Sequence, residues 1–201
     1  MSLFDTGAAR SGVASVPDGR IRVWDPFVRL FHWSVVTGVL LNEAVLDPGK
    51  LAHRYVGYVI AGLLFLRVVW GFVGSRHARF RDFAASPGRV IRHLVASLRG
   101  REPRYIGHNP AGGAMMLLLM AMLAGLCLTG WMQKLDMFWG VIWVENLHAF
   151  LADLLVWLVA LHVAAALLES FRHRENLIWS MIDGRKRANN GGDSGHAGSA
   201  D

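Results

Sequence analysis

Three apolar runs, residues 52 to 73, 110 to 131 and 144 to 168, dominate the 201-residue chain, and a fourth, 27 to 46, is weaker because Arg29, His32, Asn42 and Glu43 interrupt it. Each run is about 20 residues, which at ~1.5 Å per residue reaches across a hydrocarbon layer of roughly 30 Å. The chain is 53% hydrophobic and only 18% charged, a balance that departs from soluble domains in the same direction. The expected architecture is all-α: an integral membrane four-helix bundle with helices about 27–46, 52–73, 110–131 and 144–170. Residues 1–20 and 188–201 are polar and rich in Gly, Ser and Ala, so they are expected to be disordered tails around a single domain, 21–187. The first twenty residues have no apolar core after their charges and do not read as a cleaved signal peptide.

Basic residues set the expected orientation. Residues 75 to 109 hold eight arginines against Asp82 and Glu102, and residues 169 to 187 hold four arginines and a lysine against three acids. The connections near Asp47 and Asp136 carry one lysine each. The positive-inside rule then puts both termini and the long second connection in the cytoplasm. A basic membrane-facing surface accounts for the net charge of +6, which leaves no reason to invoke nucleic acid. Within the long connection, Val90, Ile91, Leu94, Val95 and Leu98 share one helical face, predicting an amphipathic interfacial helix over about 88–99 with Arg89, Arg92, His93 and Arg99 on its polar side. Trp131, Trp139 and Trp143 on one side, and Trp24 and Trp179 on the other, read as anchors at the two membrane surfaces.

Ionisable residues inside such helices are costly and point to function. His148 and His162 are fourteen residues apart, so they project from one face of the fourth helix at two levels separated by roughly 21 Å. His32 lies near the cytoplasmic end of the first helix and His53 at the periplasmic start of the second. The level pairings are therefore His53 with His148 and His32 with His162. Two imidazoles facing each other across a bundle, at each of two depths, suit axial ligation of two haem irons, with both axial positions filled for electron transfer. Cys127 is the only cysteine and no C-x-x-C-H motif exists, so the expected cofactors are two non-covalent b-type haems. Zinc needs three or four ligands at one level, and a proton relay leaves the pairing by depth unexplained. Arg29 and Arg54, with Arg67 third, are the candidate partners for haem propionates. Asp153 lies between the two levels and projects away from His148.

The segments VWDPFVRLFHW, HRYVGYVIAGLLFLRVVWGFVGSRHARF, HNPAGGAMMLLLMAMLAGLCLTGW, NLHAFLADLLVWLVALHV and RENLIWSMIDGRKR resemble, in this order, the bacterial cytochrome b561 family, which includes the b-type cytochrome subunits of nickel-iron hydrogenases. The resemblance covers about residues 21 to 187. It implies a bacterial inner-membrane protein with two b haems, ligated at the positions of His32, His53, His148 and His162. It further implies exchange of electrons with membrane quinone or quinol and, at one face, with a redox partner. The connection MQKLDMFWGVIWVEN is short, which keeps a small periplasmic cytochrome c beside a hydrogenase-like partner. Helix-three glycines offer a face for a homodimer. Two rival readings stand beside this one. One is a stand-alone superoxide:quinone oxidoreductase, for which Lys50, Arg54 and Lys134 are the only basic residues at the outer mouth; the other is a structural membrane anchor without haem.

Overall fold

The computed structural model describes residues 20–75, 78–99 and 109–187. The long helices are α1 (Pro26–Ala44), α2 (Leu51–Val73), α5 (Pro110–Met132) and α6 (Ile142–His173). Between α2 and α5 lie a single turn, α3 (Phe80–Phe83), and α4 (Pro87–Leu98); after α6 comes α7 (Leu177–Asp183). Local chemistry sets several starts. Asp25 and Asn109 each precede a proline, and their side chains accept from the backbone N–H three residues on, Val28 at 2.8 Å and Gly112 at 2.6 Å. A polar cap followed by proline satisfies a donor the helix leaves free and fixes φ for the first turn. Asn176 caps α7 in the same way through the Trp179 N–H at 2.8 Å.

The packing runs in chain order, α1 on α2, α2 on α5 and α5 on α6. Its centre is small: Ile60, Leu64, Met120, Leu123 and Leu155 from α2, α5 and α6. At Gly38 of α1 an added Cβ would stand 3.0 Å from Ile60 Cδ1, so the bare glycine lets α2 close on α1. Cys127 Sγ donates to the Gly57 carbonyl across the α5–α2 seam. Most large apolar side chains point outward, among them Phe65, Phe72, Trp157 and Phe171. A helix whose apolar side chains surround it is stable only where hydrocarbon is the solvent. Among the described residues three helices, α2, α5 and α6, are long and apolar enough to cross a membrane; α1 carries Arg29, His32, Asn42 and Glu43 and does not meet that measure by composition.

The structure corrects the sequence reading at four places. The last long helix runs to His173, so its 32 residues span about 48 Å and project beyond a hydrocarbon layer. His93 is buried rather than on the polar face of α4, while Ile91, Leu94 and Val95 are the exposed residues. An apolar face turned outward can lie on lipid, and the imidazole is then the side chain that faces the protein. Trp24, expected as a surface anchor, is buried under the C-terminal segment; its Nε1 donates to Ser180 Oγ and Lys186 lies over its ring. Arg20, assigned to the tail, begins a strand, β1 (Arg20–Arg22), paired antiparallel with β2 (Arg185–Arg187). The rest of the two tails, 1–19 and 188–201, lies outside the described residues.

That small ladder is part of a larger clasp. Val23 and Trp24 N–H donate to the Gly184 carbonyl, Trp33 Nε1 donates to Met181 O at 3.2 Å, and Arg29 Nη1 donates to Ile182 O. Gly184 has φ 80°, and a Cβ there would come within 2.8 Å of the Trp24 carbonyl. Glycine is the residue that allows both the left-handed turn and the close approach. Nearby, Arg172 on α6 donates to Ser97 O and Oγ, tying the end of α6 to the end of α4.

Candidate functional site

His53, in the first turn of α2, and His148, in the second turn of α6, face each other with ring centres 6.4 Å apart and planes at 68°. A metal–imidazole bond is about 2.0 Å and a ring centre lies about 1 Å beyond its nitrogen, so two imidazoles on one metal have centres roughly 6 Å apart. The observed spacing leaves room for one metal between the rings. His32 of α1 and His162 of α6 lie within electrostatic range of each other at the other level. All four are half-buried. Among the described residues no group of three His, Cys, Asp or Glu side chains converges, so the fold offers ligands two at a time.

The four histidines differ in what surrounds them, and a hydrogen bond from one ring nitrogen is compatible with metal ligation by the other. A structural imidazole in an apolar bundle is held by a hydrogen bond to a neighbouring helix, since an unpaired buried nitrogen costs about 1–3 kcal/mol. The Nδ1 atoms of His32 and His53 are buried without a hydrogen-bond partner. His148 differs: its Nδ1 lies 2.9 Å from Thr129 Oγ1 of α5. On the same side a Cβ on Gly130 would stand 3.1 Å from His148 Cε1, so the ring rests against bare backbone. Gly57 and Gly62 on α2 have open space where a Cβ would be. Imidazoles paired across the bundle, the unpartnered Nδ1 atoms of His32 and His53 and the open space at Gly57 and Gly62 fit a flat tetrapyrrole and its iron.

The arginines differ in their engagements. Arg29 gives one nitrogen to Ile182 O, and its Nε is buried without a partner. The Nε of Arg54 is buried without one too. Arg67 is almost fully buried; it donates to Ala78 O at 3.2 Å, lies over the Phe80 ring and leaves Nη1 unpaired. Asp153 is exposed on α6. A feature that hydropathy and histidine spacing did not reveal is Asp25. Its carboxylate caps α1 and also accepts from Trp70 Nε1 at 3.1 Å and from Ser75 Oγ, clamping the start of α1 to the end of α2. Burial opposes its ionisation, but the hydrogen bonds from Ser75, Val28 N–H and Trp70 and the nearby Arg67 charge outweigh it, so the carboxyl is held below the usual range. The Asp-Pro pair is a readable helix start; the link to Trp70 and Ser75 is not.

Residues 23–184 match the sequence pattern described as prokaryotic cytochrome b561. The chain belongs to the prokaryotic cytochrome b561 family. Curated cytochrome relatives include a probable Ni/Fe-hydrogenase B-type cytochrome subunit of Bradyrhizobium diazoefficiens, 27% identical with 90% of this chain and 91% of the relative covered. A protein of the same description from Rhodobacter capsulatus is 27% identical, covering 83% and 81%, and one from Rhizobium leguminosarum bv. viciae is 25% identical, covering 92% and 97%. No solved structure matches the chain. A member of the cytochrome b561 family is a membrane electron-transfer protein with haem b, and this b561 chain has the apolar helices that such a setting requires.

Proposed function

We propose that this cytochrome carries two b haems, one between His53 and His148 and one between His32 and His162, and passes electrons across the bacterial inner membrane between the quinone pool and a redox partner on the outer face. The observation that carries the proposal is the His53–His148 pair, two imidazoles from different helices with centres 6.4 Å apart. A bound b haem supplies one-electron oxidation and reduction at its iron. The protein's own work is to hold four imidazoles at two depths, to keep water from them with apolar helices, and to place guanidinium groups near each level. Arg29 sits one turn before His32 and Arg54 beside His53, the positions where a propionate of either haem would meet a cation.

The four-helix arrangement finds support in parity. β1 precedes α1 and β2 follows α7, and the two strands pair, so both ends of the described chain lie on one side. An odd number of crossings would separate them. With α2, α5 and α6 crossing, α1 crosses as well, and its length agrees: Asp25 meets Trp70 at one end and Asn42 meets the His53 carbonyl at the other. The positive-inside rule, applied to the basic connection and C-terminal segment, supports a cytoplasmic position for that side, and the His53–His148 level then faces the periplasm in this reading. A hydrogenase-like protein is the favoured partner there, since the relatives are described as hydrogenase cytochrome subunits over most of their length.

A dithionite-reduced minus oxidised spectrum of detergent-purified protein, with pyridine haemochrome quantification, tests the reading. About two b haems per chain are expected, and one after His148→Ala or His162→Ala. A haem-free, well-folded preparation from haem-sufficient cells would sink the cytochrome assignment, and two haems retained after His162→Ala would sink the pairing.

A further inference from the structure

The hydroxyl of Thr129 lies 2.9 Å from His148 Nδ1, 2.8 Å from the Gly125 carbonyl and 3.2 Å from the Leu126 carbonyl. Thr129 is only 4% exposed, so no solvent competes for these bonds. A hydroxyl has one proton to give, and a carbonyl can only accept. The Thr129 proton is therefore directed to the carbonyls of its own helix, one turn back, and the proton between Thr129 and His148 belongs to the imidazole. In that tautomer Nδ1–H donates to Oγ1, with the Leu126 carbonyl a further acceptor beside the ring. In a neutral imidazole this leaves the lone pair on Nε2. At Gly130, the next residue, an added Cβ would stand 3.1 Å from His148 Cε1, a crowded approach, so the bare backbone there gives the ring its place.

We propose that Thr129 and Gly130 are the positioning residues of the outer metal site: Thr129 fixes the tautomer and rotation of His148, and Gly130 supplies the flat surface against which that ring seats. The inference rests on the di-haem reading, since the metal served is the outer haem iron. It adds an asymmetry. His148 is the firmly held ligand, whereas the Nδ1 of its partner His53 is buried with no hydrogen bond. A ligand imidazole that donates from its remote nitrogen becomes more basic, which favours the oxidised iron and lowers the potential of that centre.

The experiment uses the full chain, purified with its haems, as wild type, Thr129→Val, Thr129→Ser and Gly130→Ala. Midpoint potentials are read by optical redox titration, ligand geometry by EPR of the oxidised low-spin haems, and haem retention by transfer to apomyoglobin. Thr129→Val keeps the shape and removes the hydroxyl. It is expected to move one of the two potentials positive, alter one of the two EPR signals, and speed haem release from that centre by about 10- to 100-fold. Thr129→Ser is expected to restore wild-type behaviour, and Gly130→Ala to disturb the same EPR signal. Unchanged potentials and signals in Thr129→Val would overturn the inference while leaving two haems in place. Equal loss of the centre in Val and Ser variants would also overturn it, because packing and not the hydroxyl would then be responsible. A haem-free wild type would be seen before any variant and would remove the cytochrome reading and this inference together.

Discussion

At Asp25 one carboxylate accepts from donors on three segments: Val28 at the start of α1, Trp70 near the end of α2, and Ser75 just beyond it. These bonds are strongest to the ionised form, which is why its acidity exceeds that of a free aspartate. In the unfolded chain the group titrates near about 3.9. Its stabilisation is therefore fully present above about pH 4 and is lost as pH falls through the lower folded value, where the folded state must also take up the proton. Thermal melts in detergent are expected to show an acid-side decline in the wild type that is flattened in Asp25→Asn, which keeps the cap but has no charge to lose. Asp25→Ala is expected to cost at least about 1 kcal/mol at neutral pH, since it removes the cap and leaves Trp70 without its acceptor. Equal acid sensitivity of the wild type and the Asn variant would exclude this role.

Among the elements, α6 supplies histidines to both levels and then runs past them to Arg174, which ends the helix with φ 50° and ψ 39°. Its backbone N–H reaches back to Phe171 and Ser170 carbonyls, the arrangement that usually calls for glycine. A side chain in that left-handed conformation costs roughly 1–2 kcal/mol. Arg174 is exposed, so Arg174→Gly is expected to raise stability by about 1 kcal/mol, seen as a melting shift of about 2–4 °C. A lowered melting temperature would mean that the arginine side chain holds the α6–α7 junction. The polar bonds that follow the turn serve the same junction: Ser170 Oγ accepts from the Leu177 N–H, and Asn176 caps α7. Through α7 this junction returns the chain to α1.

For the whole molecule, the clasp between the two ends is the observation on which the proposed even number of crossings rests. Gly184 is its tightest point, with φ 80° and a Cβ position 2.8 Å from the Trp24 carbonyl. Gly184→Ala is expected to loosen α7 from α1, measured as faster amide exchange at Val23 and Trp24, while leaving α2, α5 and α6 inserted. Reporter fusions or cysteine labelling at the two tails are expected to place both in the cytoplasm. One tail on each side would overturn α1 as a crossing helix and, with it, the level assigned to His32.

Sequence by itself determined the membrane setting, the long helices and the candidate histidines, because hydropathy and the 3.6-residue period are properties of a single segment. His53 and His148 were legible as partners because each lies near the start of its helix, and α2 and α6, separated by one further crossing, run the same way, which puts the two starts at one depth. Only the tertiary structure decided what surrounds them. The hydrogen bond from His148 to Thr129, the carboxylate of Asp25 against Trp70, the burial of His93 and Trp24, and the pairing of Arg20–Arg22 with Arg185–Arg187 all join residues far apart in the chain. Such contacts depend on how each helix is rotated about its own axis, and rotation is set by packing between helices, which no single segment encodes.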